Sequence, residues 1–156
     1  MKSRLYPAVA AVICGMDLYL KRRVEKCVKS GEEKKLSGTP FSIRKVYNRG
    51  AAFNLLQDQP KTMRMLTTSA VAAVVVYDFI LLHQKGRHLR KLGMMCMTGG
   101  ALSNFVDRVR HGKVVDYIGI RTHCEKFSSI TYNVGDFAIF AGAVMTVLSE
   151  FFQNKN

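Results

Sequence analysis

Metal-binding spacing is missing from this sequence. Its four cysteines, Cys14, Cys27, Cys96 and Cys124, form no Cys-x-x-Cys pair, and no His/Cys cluster has zinc-like spacing. Zinc-ribbon and dithiol redox chemistry are therefore set aside, and no metal or cofactor is expected. Cys14 and Cys96 lie inside apolar runs and read as small core residues. Cys27 and Cys124 lie in connectors and can pair only where both face an oxidising compartment. Acid is also scarce: 11 Asp and Glu stand against 24 Lys and Arg, a formal net charge of +13. Serine and cysteine nucleophiles lack a convincing base, because His83 and His88 flank one short loop and His111 and His123 sit in a connector. No small-x-small cleavage site closes the first apolar stretch, and Ile13 is too bulky for a lipid-attachment box at Cys14. That stretch reads as a retained helix. Repeats and low-complexity tracts are absent.

What is present is an unusual pairing of 48% hydrophobic residues with strong positive charge, segregated along 156 residues that fit a single domain, 1–156. Four apolar runs alternate with basic connectors: Leu5 to Leu20, Leu66 to Leu82, Leu92 to Val106 and Ala138 to Phe152. Each falls short of the roughly 20 residues a bilayer-crossing helix needs, but snorkelling Lys and Arg stems and polar caps can extend them. Four such runs, each fenced by charge, argue for an integral membrane protein, mainly α, with four spans. Pro40 to Tyr47 alternates apolar and polar residues and reads as a strand or two, followed by a turn at Asn48-Arg49-Gly50. The loop His83 to Lys91 is basic with no acid, and such short loops stay cytoplasmic. Both termini are then cytoplasmic and the two long connectors lie outside. Against this, residues 21–49 carry ten Lys and Arg and three Glu on the outer side.

Acidic residues at membrane depth are functional candidates. Gly99 to Arg108 ends the third run, with Asn104, Asp107 and Arg108 on one helix face. Val114-Val115-Asp116-Tyr117-Ile118 holds a carboxylate in an apolar, strand-like setting. Tyr132-Asn133-Val134-Gly135-Asp136 opens the fourth run, with Asn133 as its N-cap. The topology brings Asp116 and Asp136 to one depth. Two carboxylates close together in low dielectric hold one proton between them, which permits general base and general acid roles. Asp107 can instead be a helix-end partner of Arg108 or Arg110. Asp78 and Glu150 are expected to be solvated near the inner ends of their helices, and the Met94, Met95, Met97 run reads as packing.

These segments resemble the motifs of the signal peptidase II family. Asn48 to Phe53 is similar to its Asn-x-Gly-Ala-Ala-Phe motif, Gly99 to Arg108 to its third-helix motif, Val115-Asp116-Tyr117 to its first catalytic aspartate and Tyr132 to Asp136 to its second. Asp17 and Lys21 resemble the pair closing its first helix and are expected to brace that helix as an i, i+4 pair. The resemblance implies a four-transmembrane-helix bundle with a small β-sheet on the extracytoplasmic membrane surface. It implies an aspartic endopeptidase that cuts diacylglyceryl-modified prolipoproteins before the modified cysteine, with Asp116 and Asp136 catalytic. Asn48, Gly50, Asn104, Arg108 and Asn133 would bind substrate or support the dyad; Asp17, Lys21 and Asp107 would be structural. A multi-pass location in a bacterial cytoplasmic membrane follows, with membrane lipids as neighbours, no nucleic acid and a monomeric chain. Gly135 departs from the family's alanine, and residues 21–35 are unusually basic. A diverged, non-catalytic membrane paralogue that binds lipidated precursors is the alternative. A soluble nucleic-acid binder is a third, separable because salt would extract it where a four-span protein needs detergent.

Overall fold

The computed structural model of the chain describes residues 5–50, 56–124 and 128–153. Four long helices, α1 (Leu5–Cys27), α2 (Pro60–His83), α3 (His88–His111) and α4 (Val134–Gln153), run well past the apolar runs into their charged flanks. At 1.5 Å per residue they are about 30–36 Å long. Pro60 occupies the first turn of α2, where its missing N–H costs nothing. Gly112, in the left-handed conformation (φ 68°), closes α3 by donating its N–H to the Arg108 carbonyl at 3.0 Å.

A four-stranded antiparallel sheet, in the order β1 (Glu33–Lys35), β2 (Phe41–Asn48), β3 (Val114–Ile120), β4 (Thr131–Tyr132), sits at one end of the helices. It packs on the end of α1 through Val24, Val28 and Tyr117, with Leu20, Ile43 and Ile118 around them. The β2–β3 register slips between Ile43, opposite Ile118, and Val46, opposite Asp116. Asn48 lies two residues beyond Val46, so it shares the face of Asp116. Without the slip Asp116 would face Lys45, and Asn48 would point to the other side of the sheet.

Helix α3 is the centre of the bundle. Gly93 and Gly142 face each other, as do Gly100 and Gly135. A Cβ on Gly100 would come within 2.2 Å of the Gly135 carbonyl, and one on Gly142 within 2.3 Å of the Gly93 carbonyl. Both pairs are one heptad apart on antiparallel helices, so α3 and α4 touch backbone to backbone, the small-residue contact common between helices in lipid. The outer surface is apolar: Phe140, Phe79, Val12 and Met65 are all more than 60% exposed. The interior holds polar groups, with Asp17, Lys21, Ser103 and Asn133 at 0–1% exposure.

The apolar-length expectation is met by two helices among the described residues, Pro60–His83 (mean hydropathy 2.0) and Val134–Phe152 (1.5). Helices α1 and α3 carry Asp17, Lys21, Lys91 and Asp107, all buried within the bundle, which lowers their hydropathy. At the end away from the sheet, the basic loop is shorter than the sequence pattern implies, because Arg90 and Lys91 belong to α3. Lys91 donates to the Leu82 and Gln84 carbonyls, capping α2. Glu150, half exposed, pairs with Arg90 at 2.5 Å. Asp78 is buried rather than solvated, since the Thr98 hydroxyl on α3 donates to it. Cys27 belongs to the last turn of α1, and all four cysteines are free.

Candidate active site

The site lies where the ends of α1, α3 and β2 meet β3 and the start of α4. Asn133 caps α4: its Oδ1 accepts from the Asp136 backbone N–H at 2.9 Å, and Asp136 Oδ2 accepts from the Asn133 backbone N–H at 3.0 Å. This reciprocal pair fixes the Asp136 rotamer in the first helical turn. The Asn133 side-chain amide then donates to Asp116 Oδ1 at 2.7 Å. One residue therefore bonds both carboxylates.

The two remaining carboxylate oxygens each receive one more amide. Asn48 Nδ2 donates to Asp116 Oδ2 at 3.1 Å, and Asn104 Nδ2 donates to Asp136 Oδ1 at 2.9 Å. In all three asparagines the opposite amide oxygen is held by an N–H donor. Gly50 N donates to Asn48 Oδ1, Asp136 N to Asn133 Oδ1, and Lys21 Nζ and Asn133 Nδ2 to Asn104 Oδ1. None can flip without losing a bond, so the amide N–H groups stay aimed at the acids. Asp116 is almost fully buried. Burial pushes its carboxyl up to about 7, and the charge of Asp136 adds to the rise, while the Asn133 and Asn48 amides oppose it.

Behind the acids lies a buried ionic cluster. Lys21 Nζ contacts Asp17 Oδ2 at 2.8 Å, Asn104 Oδ1 at 2.8 Å, Ser103 Oγ at 3.0 Å and Asp107 Oδ2 at 3.3 Å. Ser103 donates to Asp17 at 2.5 Å, and the Tyr117 hydroxyl donates to the other Asp17 oxygen at 2.9 Å. The expected i, i+4 pairing of Asp17 with Lys21 is present, and it is also tied to Asp136 through Asn104. Asp107 pairs with Lys21 and accepts from the Val115 N–H at 3.2 Å rather than pairing with Arg108 or Arg110, because it faces into the bundle. Arg108 donates Nη2 to the Gly50 carbonyl at 2.9 Å. Ala51, Ala52 and Phe53 of the first motif lie outside the described residues. Among the described residues no group of three His, Cys, Asp or Glu is arranged to hold a metal ion.

The model of the family described as signal peptidase (SPase) II matches residues 9–152. The chain belongs to the signal peptidase II family. Among its relatives, a lipoprotein signal peptidase of Geobacillus thermodenitrificans is 30% identical over 148 residues, 95% of this chain and 90% of the relative. One from Geobacillus kaustophilus is 31% identical over 147 residues, covering 94% and 93%. One from Francisella tularensis subsp. novicida is 29% identical over 153 residues, covering 96% and 93%. Two solved bacterial membrane enzymes share the fold, with TM-scores of 0.82 and 0.76 at 20% and 21% identity. They align with 96% and 95% of this chain and with 89% and 91% of their own chains.

Within this family member, the residues singled out from sequence converge: Asn48, Gly50, Asn104, Arg108, Asp116, Asn133 and Asp136 form one connected set, with Asp17, Lys21 and Asp107 beside it. Sequence reasoning passed over Ser103 and Tyr117. Each is the immediate neighbour of a singled-out residue, Asn104 and Asp116, and that adjacency was the available signal. The Gly135 departure is accommodated closely, since a Cβ there would meet Asn133 Oδ1 and Asp17 Oδ2 at 3.0 Å and the Gly100 carbonyl at 3.1 Å.

Proposed function

We propose that the chain is an aspartic endopeptidase of the bacterial cytoplasmic membrane, acting on diacylglyceryl-modified prolipoproteins and cutting before the lipid-modified cysteine. The observation that carries this reading is the bonding of both Asp116 and Asp136 to Asn133, within the frame of a family whose relatives are lipoprotein signal peptidases.

The two acids have unequal surroundings, which supports a division of roles. Asp136 sits in the first turn of a helix, where the helix dipole and the Asn133 backbone N–H both act in favour of its anion. Lys21 also polarises its Asn104 donor. Asp116, on a buried strand, holds its proton to about pH 7. In the reaction, water attacks the scissile carbonyl carbon as Asp136 takes its proton and Asp116 gives its own to the carbonyl oxygen. Collapse of the tetrahedral intermediate breaks the C–N bond; Asp136 returns its proton to the cysteine nitrogen, and Asp116 recovers one from the intermediate's hydroxyl. Water is the sole co-reactant. Asn48, Asn104 and Asn133 hold the dyad, and Arg108 fixes the Gly50 turn beside it.

Residues 1–156 form one membrane-embedded peptidase domain acting as a monomer. All four helices span the bilayer: α2 and α4 on their own hydropathy, α1 and α3 with Asp17, Lys21 and Asp107 turned inward against partners. Both termini are cytoplasmic and the sheet and dyad face the extracytoplasmic side, in keeping with the short basic turn between α2 and α3. The apolar exterior fits acyl chains, including the diacylglyceryl group of the substrate.

The test is cleavage by purified protein in detergent of one precursor in two forms, with and without diacylglyceryl on its cysteine. Mass spectrometry should find a single cut, directly before the cysteine, in the lipidated form alone. Binding of the lipidated precursor with no cut would instead establish the non-catalytic alternative.

A further inference from the structure

Three hollows adjoin where α2 begins, on the sheet side of the bundle. A cleft of about 460 Å³ is lined by Arg49, Asp58, His111 and Lys113 among others. A narrow pocket adjoining it shares Arg49, Pro60 and Gly112 and adds Arg64 and Arg108. A groove of about 490 Å³, mostly apolar, continues along α2 past Lys61, Arg64, Met65 and Thr68. Five cations, Arg49, Lys61, Arg64, Arg108 and Lys113, thus stand against one acid, Asp58.

These cations are short of partners. Arg49, Lys61 and Arg64 make no side-chain hydrogen bond or ion pair among the described residues; Arg64 is a partner only through its backbone carbonyl, which the Thr68 hydroxyl binds. Lys113 rests over the Tyr47 ring at 3.4 Å. Arg108 bonds Gly50 through Nη2, but its buried Nη1 has no partner among the described residues. A buried guanidinium N–H without an acceptor is costly, so the pocket calls for one. Directly along α2, Met65 and Leu66 are 64% and 48% exposed, the start of the apolar exterior. The cations therefore stand at headgroup level, with an acyl-sized groove below them.

We propose that this cleft and groove bind one anionic glycerophospholipid, its phosphate among Arg49, Arg64 and Lys113 and an acyl chain along Met65 and Thr68. The inference rests on the membrane-spanning reading above, but not on peptidase activity. The ligand is distinct from the substrate's lipid, since a diacylglyceryl thioether carries no charge for these cations to meet. It also gives a use to positive charge on the outer side, where topology rules do not call for it.

The test is native mass spectrometry of the full chain in detergent, titrated with phosphatidylglycerol, with phosphatidylcholine, and with phosphatidylglycerol plus inorganic phosphate. One phosphatidylglycerol per chain should be retained, at least about tenfold more tightly than phosphatidylcholine. The double variant R49Q/R64Q should lose about tenfold or more in that affinity, whereas K34Q/K35Q, an equal change of charge on β1, should not. Equal retention of both lipids, equal loss in both double variants, or displacement of the lipid by millimolar inorganic phosphate would overturn the proposal, the last result indicating a free-anion site. Thermal unfolding of R49Q/R64Q close to wild type keeps the comparison valid; if that pair unfolds, R64Q alone carries it with the same expected direction. Lipid retention without precursor cleavage would leave this inference standing and remove the peptidase reading. Extraction of the chain from membranes by salt alone would remove both.

Discussion

Replacing Lys21 by methionine keeps the length of the side chain and removes its charge. Lys21 is 1% exposed, and its ammonium is within 3.3 Å of two carboxylates, a hydroxyl and the Asn104 amide oxygen. Asp17 and Asp107 would then be buried without their counter-ion. Removing one partner of a buried ion pair costs about 3–5 kcal/mol, which for a chain of this size lowers the unfolding temperature by roughly 6–20 °C. Cleavage should fall as well. Asn104 would lose a charged donor worth about 1.5–3 kcal/mol, and with it the restraint that keeps its amide N–H on Asp136. The loss expected is roughly 10- to 100-fold in kcat at temperatures where the variant is folded. Adding Asp17→Asn to Lys21→Met should recover about 1–2 kcal/mol relative to the sum of the single changes, because the stranded anion is gone. The assays are thermal unfolding by circular dichroism in detergent and cleavage of a lipidated precursor. A Lys21→Met protein that melts within about 2 °C of wild type and cleaves at the wild-type rate would refute the reasoning.

Other expectations follow from the same geometry. Asp116 must carry its proton to act as the acid; a carboxyl is protonated below its pKa, so kcat/KM should fall as pH rises through about 7. Asn48→Ala removes a donor that favours the Asp116 anion, so it should move that alkaline limb to higher pH; a limb that stays put or moves down contradicts the role. Gly100→Ala drives a methyl to within 2.2 Å of the Gly135 carbonyl, and should cost about 1–3 kcal/mol or more in thermal unfolding, while Gly15→Ala, with open space around it, should not. Asp78→Asn keeps an acceptor for Thr98 and removes a buried charge whose Oδ1 has no partner among the described residues, so the unfolding temperature should be unchanged or higher and cleavage unaffected.

Much of the site was legible because its residues sit in compact segments. The Gly99 to Arg108 and Tyr132 to Asp136 segments place asparagine and acid at helical spacing, and the capping role of Asn133 follows from its position before an apolar run. The strand was visible in the alternation of Pro40 to Tyr47, although it runs on through Asn48, which the sequence places in the turn. The rest depended on packing that periodicity does not encode. The register slip opposite Asp116 decides which face Asn48 occupies, yet Arg44 and Lys45 carry no mark of a bulge. Asp78 looked solvated because it lies near a helix end, and only the facing Thr98 explains its burial. Lys21 read as a local i, i+4 partner of Asp17, whereas its contacts to Ser103 and Asn104 span more than 80 residues. The pairing of Gly93 with Gly142 and Gly100 with Gly135 likewise needs the antiparallel α3–α4 contact before the heptad spacing acquires meaning.

The most direct measurement is the rate at which purified Asp116→Asn and Asp136→Asn proteins cleave a diacylated precursor, each matched to wild type in unfolding temperature and detergent. With a shared-proton dyad, either substitution removes the general acid or the general base. Each should then lower the rate by at least about 10²–10⁴-fold while the helical signal is retained. A folded variant of either kind that cleaves at the wild-type rate would contradict the dyad.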